Sequence, residues 1–199
     1  MLDLNGVTIY PEALGPEAQA QLVEEVRQLV RVAPLYRPVT PRGQAMSVQM
    51  TAAGRFGWVS DRKGYRYEPC HPSGSAWPAI PDSILKIWRR HGGTDLRDPE
   101  CCLVNFYGEG ARMGLHQDRD EADFSQPVVS VSLGDEGLFR VGGVERGGKT
   151  RSYWLKSGDV AVLGGAARLA YHGVDRIKFG SSDLLAQGGR LNLTLRVVT

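Results

Sequence analysis

The sequence predicts a mainly β fold, a sandwich- or barrel-like core preceded by two helices. Two observations carry this. From Cys101 onward, short runs rich in Val, Leu and aromatic residues alternate with glycine-containing breaks, and no helical period separates them. Before Cys101, the apolar residues of two segments recur at three- and four-residue steps.

The first of these segments, residues 16–33 (PEAQAQLVEEVRQLVRVA), places Leu22, Val23, Val26, Leu29 and Val30 on one helical stripe, and Pro34 ends the pattern. The second, PDSILKIWRRH, puts Ile84, Leu85 and Trp88 on its buried side, with Gly92-Gly93 beyond its end. The stretch between, AAGRFGWVSDRKGYRYEPCHPSG, has little period and reads as irregular or hairpin-like chain. Then CCLVNFY, PVVSVSL, GLFRVGG, RSYWL, GDVAVLGG and RLNLTLRVV each suit a strand in length and residue type. The expected layout is helices first and β core second within a single domain of 199 residues.

Hydrophobic residues at 42% and charged residues at 23% exclude a disordered chain. No apolar run approaches the roughly 20 residues that span a bilayer, and the N-terminus lacks a basic start followed by an apolar stretch. A soluble, cytoplasmic protein with no membrane partner is expected. The three cysteines form no C-x-x-C pair and read as buried or indifferent thiols. A formal charge of +2 permits a polyanionic partner without implying one.

The run LHQDRDE raises the question of chemistry. In an extended chain His116, Asp118 and Asp120 share one side, and His116 and Asp118 stand about 6.6 Å apart along it. An imidazole and a carboxylate so placed can meet one ion, and His172, in RLAYHGV after an apolar strand, could be returned beside them by a sheet. Two histidines and one carboxylate form the facial triad of non-haem Fe(II) oxygenases. H-x-D alone recurs in many chains, and a plain surface strand stays open as the alternative. His71 and His91 have no such neighbours. In RLNLTLRVV, Leu191, Leu193, Leu195 and Val197 occupy one face; Arg190, Asn192, Thr194 and Arg196 occupy the other. That polar face is either half-solvated or the lining of a pocket for a dicarboxylate. Asn105 and Tyr107 in CCLVNFY form a second polar pair of the same spacing.

The ordered set NFYGEGARMGLHQDRDE, PVVSVSLG, GDVAVLGGAARLAYHGV and RLNLTLR resembles the AlkB-type Fe(II)- and 2-oxoglutarate-dependent dioxygenases. The likeness runs from about Thr40 to the C-terminus and is densest from Asn105 to Arg196. It implies a double-stranded β-helix, or jelly roll, over 101–199, with N-terminal helices and a nucleotide-recognition lid within 1–100. It further implies that His116, Asp118 and His172 hold Fe(II) as the catalytic set. Arg190, Asn192 and Arg196, helped by Asn105 and Tyr107, would hold 2-oxoglutarate, and O2 would be the other co-substrate. Trp58, Tyr65, Met46, Met50, Asp120 and Arg146 fall at positions that contact the target nucleotide. Gln44 stands where relatives often carry an aromatic residue, and Arg119 suits a phosphate.

The expected function is oxidative demethylation of N-alkylated bases of the 1-methyladenine and 3-methylcytosine type in DNA, with RNA as a second substrate class. The partner is nucleic acid, and no obligate protein partner is evident. Two alternatives remain: a 2-oxoglutarate oxygenase acting on a protein or small molecule, and a non-catalytic jelly-roll module. The second suffers because structural zinc prefers four closed ligands rich in cysteine.

Overall fold

The computed structural model describes all residues from Met1 to Thr199. In chain order the elements are β1 (Leu2–Leu4), β2 (Val7–Tyr10), α1 (Pro16–Val32), β3 (Gln49–Gly54), β4 (Gly57–Asp61), β5 (Gly64–Glu68) and α2 (Asp82–His91). There follow β6 (Cys101–Tyr107), β7 (Met113–His116), β8 (Val128–Gly134), β9 (Glu136–Val141), β10 (Arg151–Leu155), β11 (Val160–Leu163), β12 (His172–Lys178) and β13 (Arg190–Arg196).

A seven-stranded sheet runs β1-β2-β11-β8-β13-β6-β3 and a four-stranded sheet runs β10-β9-β12-β7; β4 and β5 form a separate hairpin. From β6 on, the chain passes repeatedly between the two larger sheets, which is the winding of a double-stranded β-helix. All pairings are antiparallel.

Both helices cover the outer face of the larger sheet. Leu22, Val23, Val26 and Leu29 of α1, with Ile84, Ile87 and Trp88 of α2, pack with Val104, Val129, Val131, Leu193 and Leu195. Trp88, Val104, Val131 and Leu193 have no exposed surface. Pro16 opens α1, where a missing N–H costs nothing, and the basic Arg89 and Arg90 close α2 at its negative end. A second apolar cluster, with Leu103, Val128, Phe139, Leu155, Leu163 and Val174, fills the space between the two sheets.

Several expectations change. The β core does not wait for the helices: β2 pairs onto β11 with β1 outside it, and β3 pairs onto β6, so the first third of the chain widens the main sheet at both edges. Ile87, not Leu85, lies on the buried side of α2, and Val30 is only half-buried. LHQDRDE is not one strand. β7 stops at His116, and 117–127 run through bends and turns. β12 is an additional strand.

Candidate active site

The inner face of the larger sheet forms the floor. On β13, Arg190, Asn192, Thr194 and Arg196 face inward while Leu191, Leu193 and Leu195 face the helices. The register sets Asn192 opposite Asn105 and Arg190 opposite Tyr107 on β6, so the two polar pairs share that face. The half-solvated alternative is excluded: Arg190 has 0% and Arg196 6% of its surface exposed. Arg190 donates from Nη2 to Ser132 Oγ at 2.8 Å, and Asn192 donates to Ser130 Oγ at 2.7 Å.

The smaller sheet supplies the histidines. β7 and β12 are neighbours with His116 opposite His172, their rings 4.6 Å apart. Each Nδ1 is bonded to a carbonyl two residues back, Gly114 at 3.0 Å and Ala170 at 2.9 Å, which fixes the ring and turns Nε2 to the centre. Asp118 reaches in from the irregular segment. Its Oδ1 lies 3.6 Å from His116 Nε2 and its Oδ2 3.6 Å from His172 Nε2. One ligand atom from each of the three falls within 4.8 Å of the others, a spread that one ion can bridge.

The electrostatics suit a cation. Burial would raise Asp118, but Arg196, with Nη2 at 3.0 Å, and the two histidines hold its carboxyl well below the usual range. Burial pushes His172 down to about 4, so its ring is neutral and free to ligate. At His116 burial acts downward too, but the adjacent Asp118 carboxylate wins and the net shift is up. Burial lowers Arg190 to about 10 and raises Tyr107 to about 12, so at neutral pH both remain proton donors.

Five buried side-chain polar atoms lack a hydrogen-bond partner. Four of them, Asn105 Oδ1, Asp118 Oδ2, Arg190 Nε and Arg196 Nε, belong to residues of this one cavity, Asp118 Oδ2 meeting Arg196 Nη2 as an ion pair outside hydrogen-bond geometry. Such clustering is what a site for a metal and a polar ligand leaves behind, since buried polar groups are otherwise satisfied. The donor set, two imidazoles and a carboxylate, fits Fe(II), and two buried guanidinium groups beside amide and phenol donors fit a keto diacid.

The cavity, about 340 Å³, opens beneath the β4–β5 hairpin. Trp58 and Tyr65 stack there with ring centroids 5.4 Å apart and planes 17° apart. Trp58 Nε1 donates to Asp120 Oδ2 at 2.8 Å. Met46, Met50, Asp120 and Arg119 also line the cavity. Arg146 does not: it lies exposed in the loop between β9 and β10. Gln44 sits in an exposed turn closed onto Thr40. Arg66 is committed to Asp61 and Glu68 within the hairpin, and Tyr67 points inward to Glu121 and Arg196. His71 and His91 lie outside the site, the first bonded to Ser73 and Pro34, the second packed on Tyr10. Sequence reasoning passed over the buried Glu121 and Arg168, which carry no periodic signal and become visible only through their partners.

A family model, the 2OG-Fe(II) oxygenase superfamily, matches residues 6–196. The chain is 53% identical to the alpha-ketoglutarate-dependent dioxygenase AlkB homolog of Caulobacter vibrioides, over 96% of this chain and 87% of that one. It is 41% identical to the alpha-ketoglutarate-dependent dioxygenase AlkB of Escherichia coli K12, over 90% and 84%. Among solved structures, that of OsALKBH1 superposes with a TM-score of 0.81 at 30% identity, covering 99% of this chain and 98% of that one. With the His–Asp–His set and the inward arginines in place, the chain belongs to the 2OG-Fe(II) oxygenase superfamily, as a member of the AlkB type.

Proposed function

We propose that this protein removes alkyl groups from ring nitrogens of nucleic-acid bases by oxidation, restoring the base and consuming 2-oxoglutarate and dioxygen. The observation that carries the reading is one cavity that joins the His–Asp–His set and two buried arginines to a Trp58–Tyr65 stack and the Asp120 carboxylate at its mouth. Relatives named for action on nucleic acid, among them human nucleic acid dioxygenase ALKBH1, 35% identical over 82% of this chain and 41% of that one, support it.

His116, Asp118 and His172 would hold the iron. Iron in that set supplies activation of dioxygen and decarboxylation of 2-oxoglutarate to succinate and carbon dioxide, one oxygen atom going to succinate and one to the alkyl carbon. Arg196, beside Asp118, pairs the carboxylate at the keto end of 2-oxoglutarate. Arg190 takes the far carboxylate with help from Tyr107, and Asn105 and Asn192 complete the polar lining.

The target nucleotide must leave the stack, at a cost of a few kcal/mol that is smallest for a lesion that already spoils pairing. Trp58 offers the extruded base a ring to stack on, with His116 as the second surface of the sandwich. Asp120, held by the Trp58 indole, presents negative charge to a base made cationic by methylation, a preference that strengthens where water is scarce. Met46 and Met50 supply adaptable apolar contacts. After hydroxylation of a methyl carbon, the hydroxyl loses its proton and the C–N bond breaks. Formaldehyde leaves, and the electron pair returns to the ring nitrogen.

The test is formaldehyde release from oligonucleotides carrying 1-methyladenine or 3-methylcytosine, with Fe(II), with and without 2-oxoglutarate. Release that requires 2-oxoglutarate supports the reading. Turnover of 2-oxoglutarate indifferent to the methylated oligonucleotide, with no formaldehyde formed, removes it.

A further inference from the structure

Asp118 is the one member of the His–Asp–His set that no strand holds. A carboxylate on irregular chain needs some other restraint, and Arg168 provides it. From the end of the short 3₁₀ turn Gly165–Ala167, its guanidinium donates to the backbone carbonyl of Asp118 (Nη1, 2.7 Å), the carboxylate of Glu121 (Nη2, 3.2 Å) and the carbonyl of Gln126 (Nε, 2.8 Å). One rigid fork thus grips the segment near its start, in its middle and near its end. Arg168 is 2% exposed, and His172 follows it four residues on. A second tie lies alongside: the Gln117 amide, between His116 and Asp118, donates to the Leu169 carbonyl at 2.6 Å. The two stretches of chain that bear the triad are therefore stapled to each other behind it.

The staple also reaches the keto-acid side. Glu121 accepts from Arg168 on one oxygen; its other oxygen accepts from Tyr67 and lies 3.4 Å from Arg196 Nη1. Arg196 in turn contacts Asp118 Oδ2 through Nη2 at 3.0 Å. The path from Arg168 through Glu121 and Arg196 to Asp118 closes on itself. Buried ion pairs seldom stabilise a fold more than apolar packing would. Hydrogen-bonded groups behind metal ligands do set metal affinity.

We infer that Arg168 is a positioning residue that fixes Asp118 for the metal and, through Glu121, Arg196 for 2-oxoglutarate, so that the two affinities fall together when it is replaced. The inference rests on the reading above, in which the triad holds iron and Arg196 pairs the keto acid.

Calorimetry without nucleic acid tests it. Metal-free protein is titrated with Co(II), and the Co(II) form is titrated with 2-oxoglutarate. Arg168→Met is expected to weaken Co(II) binding by about tenfold or more and to weaken 2-oxoglutarate binding alongside it. Arg168→Lys, which keeps the charge and loses the fork, should recover part of both. Glu121→Gln should weaken 2-oxoglutarate more than Co(II), because it reaches Asp118 only through the two arginines. It also carries the test if Arg168→Met fails to fold. Wild-type affinities in the folded variants, even with a lowered Tm, would mean a purely structural role and overturn the inference. Failure of the wild-type protein to bind Co(II) or 2-oxoglutarate at all would instead overturn the proposed function.

Discussion

At Asp118 one carboxylate is both a ligand and the counter-charge of a buried arginine. This separates it from His116, whose side chain is 37% exposed. Replacing either residue should abolish turnover, but not at equal cost to the fold. Asp118→Ala leaves Arg196 short of its nearest partner, and urea unfolding should show a loss of about 3 kcal/mol. His116→Ala should unfold close to wild type, and a comparable loss there would place its ring in the core rather than at the site. Gly137 makes a second case. A Cβ there would stand 2.9 Å from Arg190 Nε, against a guanidinium whose position is set by Ser132. Gly137→Ala should displace one charge-assisted hydrogen bond and raise the KM for 2-oxoglutarate roughly tenfold, the equivalent of about 1.4 kcal/mol, with little change in nucleic-acid affinity. The inward polar pairs of β6 and β13 could be read from the chain because strand alternation constrains where they point, and the triad through its H-x-D spacing and the family resemblance, although Asp118 lies on no strand. Arg168 and Glu121 could not, since neither lies on an element with a period, and nothing in GGAARLAYHGV or QDRDEAD sets them apart from surface charge.

Among the elements, the chain just beyond β13 is fastened mainly by one carboxylate. Glu100 accepts the backbone N–H groups of Val198 and Thr199 and the Thr199 hydroxyl, and pairs with Arg55. Burial works to raise Glu100, but these donors outweigh it and hold the carboxyl below its ordinary value. A group depressed in the folded state contributes fully above its unfolded pKa, near 4.3, and loses that contribution as pH falls through the lower native value. Glu100→Gln should therefore cost about 2 kcal/mol at pH 7, a difference that begins to shrink below about pH 4 and vanishes only beneath the lower native value. A constant difference across that window would exclude ionisation as the cause. Strands with one continuous apolar face, such as β6, β8 and β13, were legible from residue type and alternation. β12 was not, because HGVDRIK carries Asp175, Arg176 and Lys178 and shifts register between Val174 and Ile177, which breaks the alternation, and β7 is only four residues long. The β1–β2 hairpin did leave a signal in LDLNGVTIY: Asn5 and Gly6 both adopt positive φ, 54° and 84°, the primed turn that Asn-Gly favours.

For the molecule as a whole, the cavity lies between two sheets whose cores it shares, so filling it should stabilise the entire fold. Saturation at 100 times Kd adds about 2.7 kcal/mol for one ligand. Mn(II) with 2-oxoglutarate should raise Tm more than either alone, and an additive-free response to 2-oxoglutarate equal to that with Mn(II) would show that the two do not share a site. Two of the ligand-bearing strands, β13 and β7, differ in how the architecture secures them. β13 lies between β8 and β6, whereas β7 is a border strand joined only to β12 across an irregular register. Border strands sit at the low end of local stability. Deuterium should accordingly enter the 113–116 amides sooner than those of 190–196 in apoprotein, and adding Mn(II) should slow the former. Metal loading would then be the act that fastens the loose hem of the barrel.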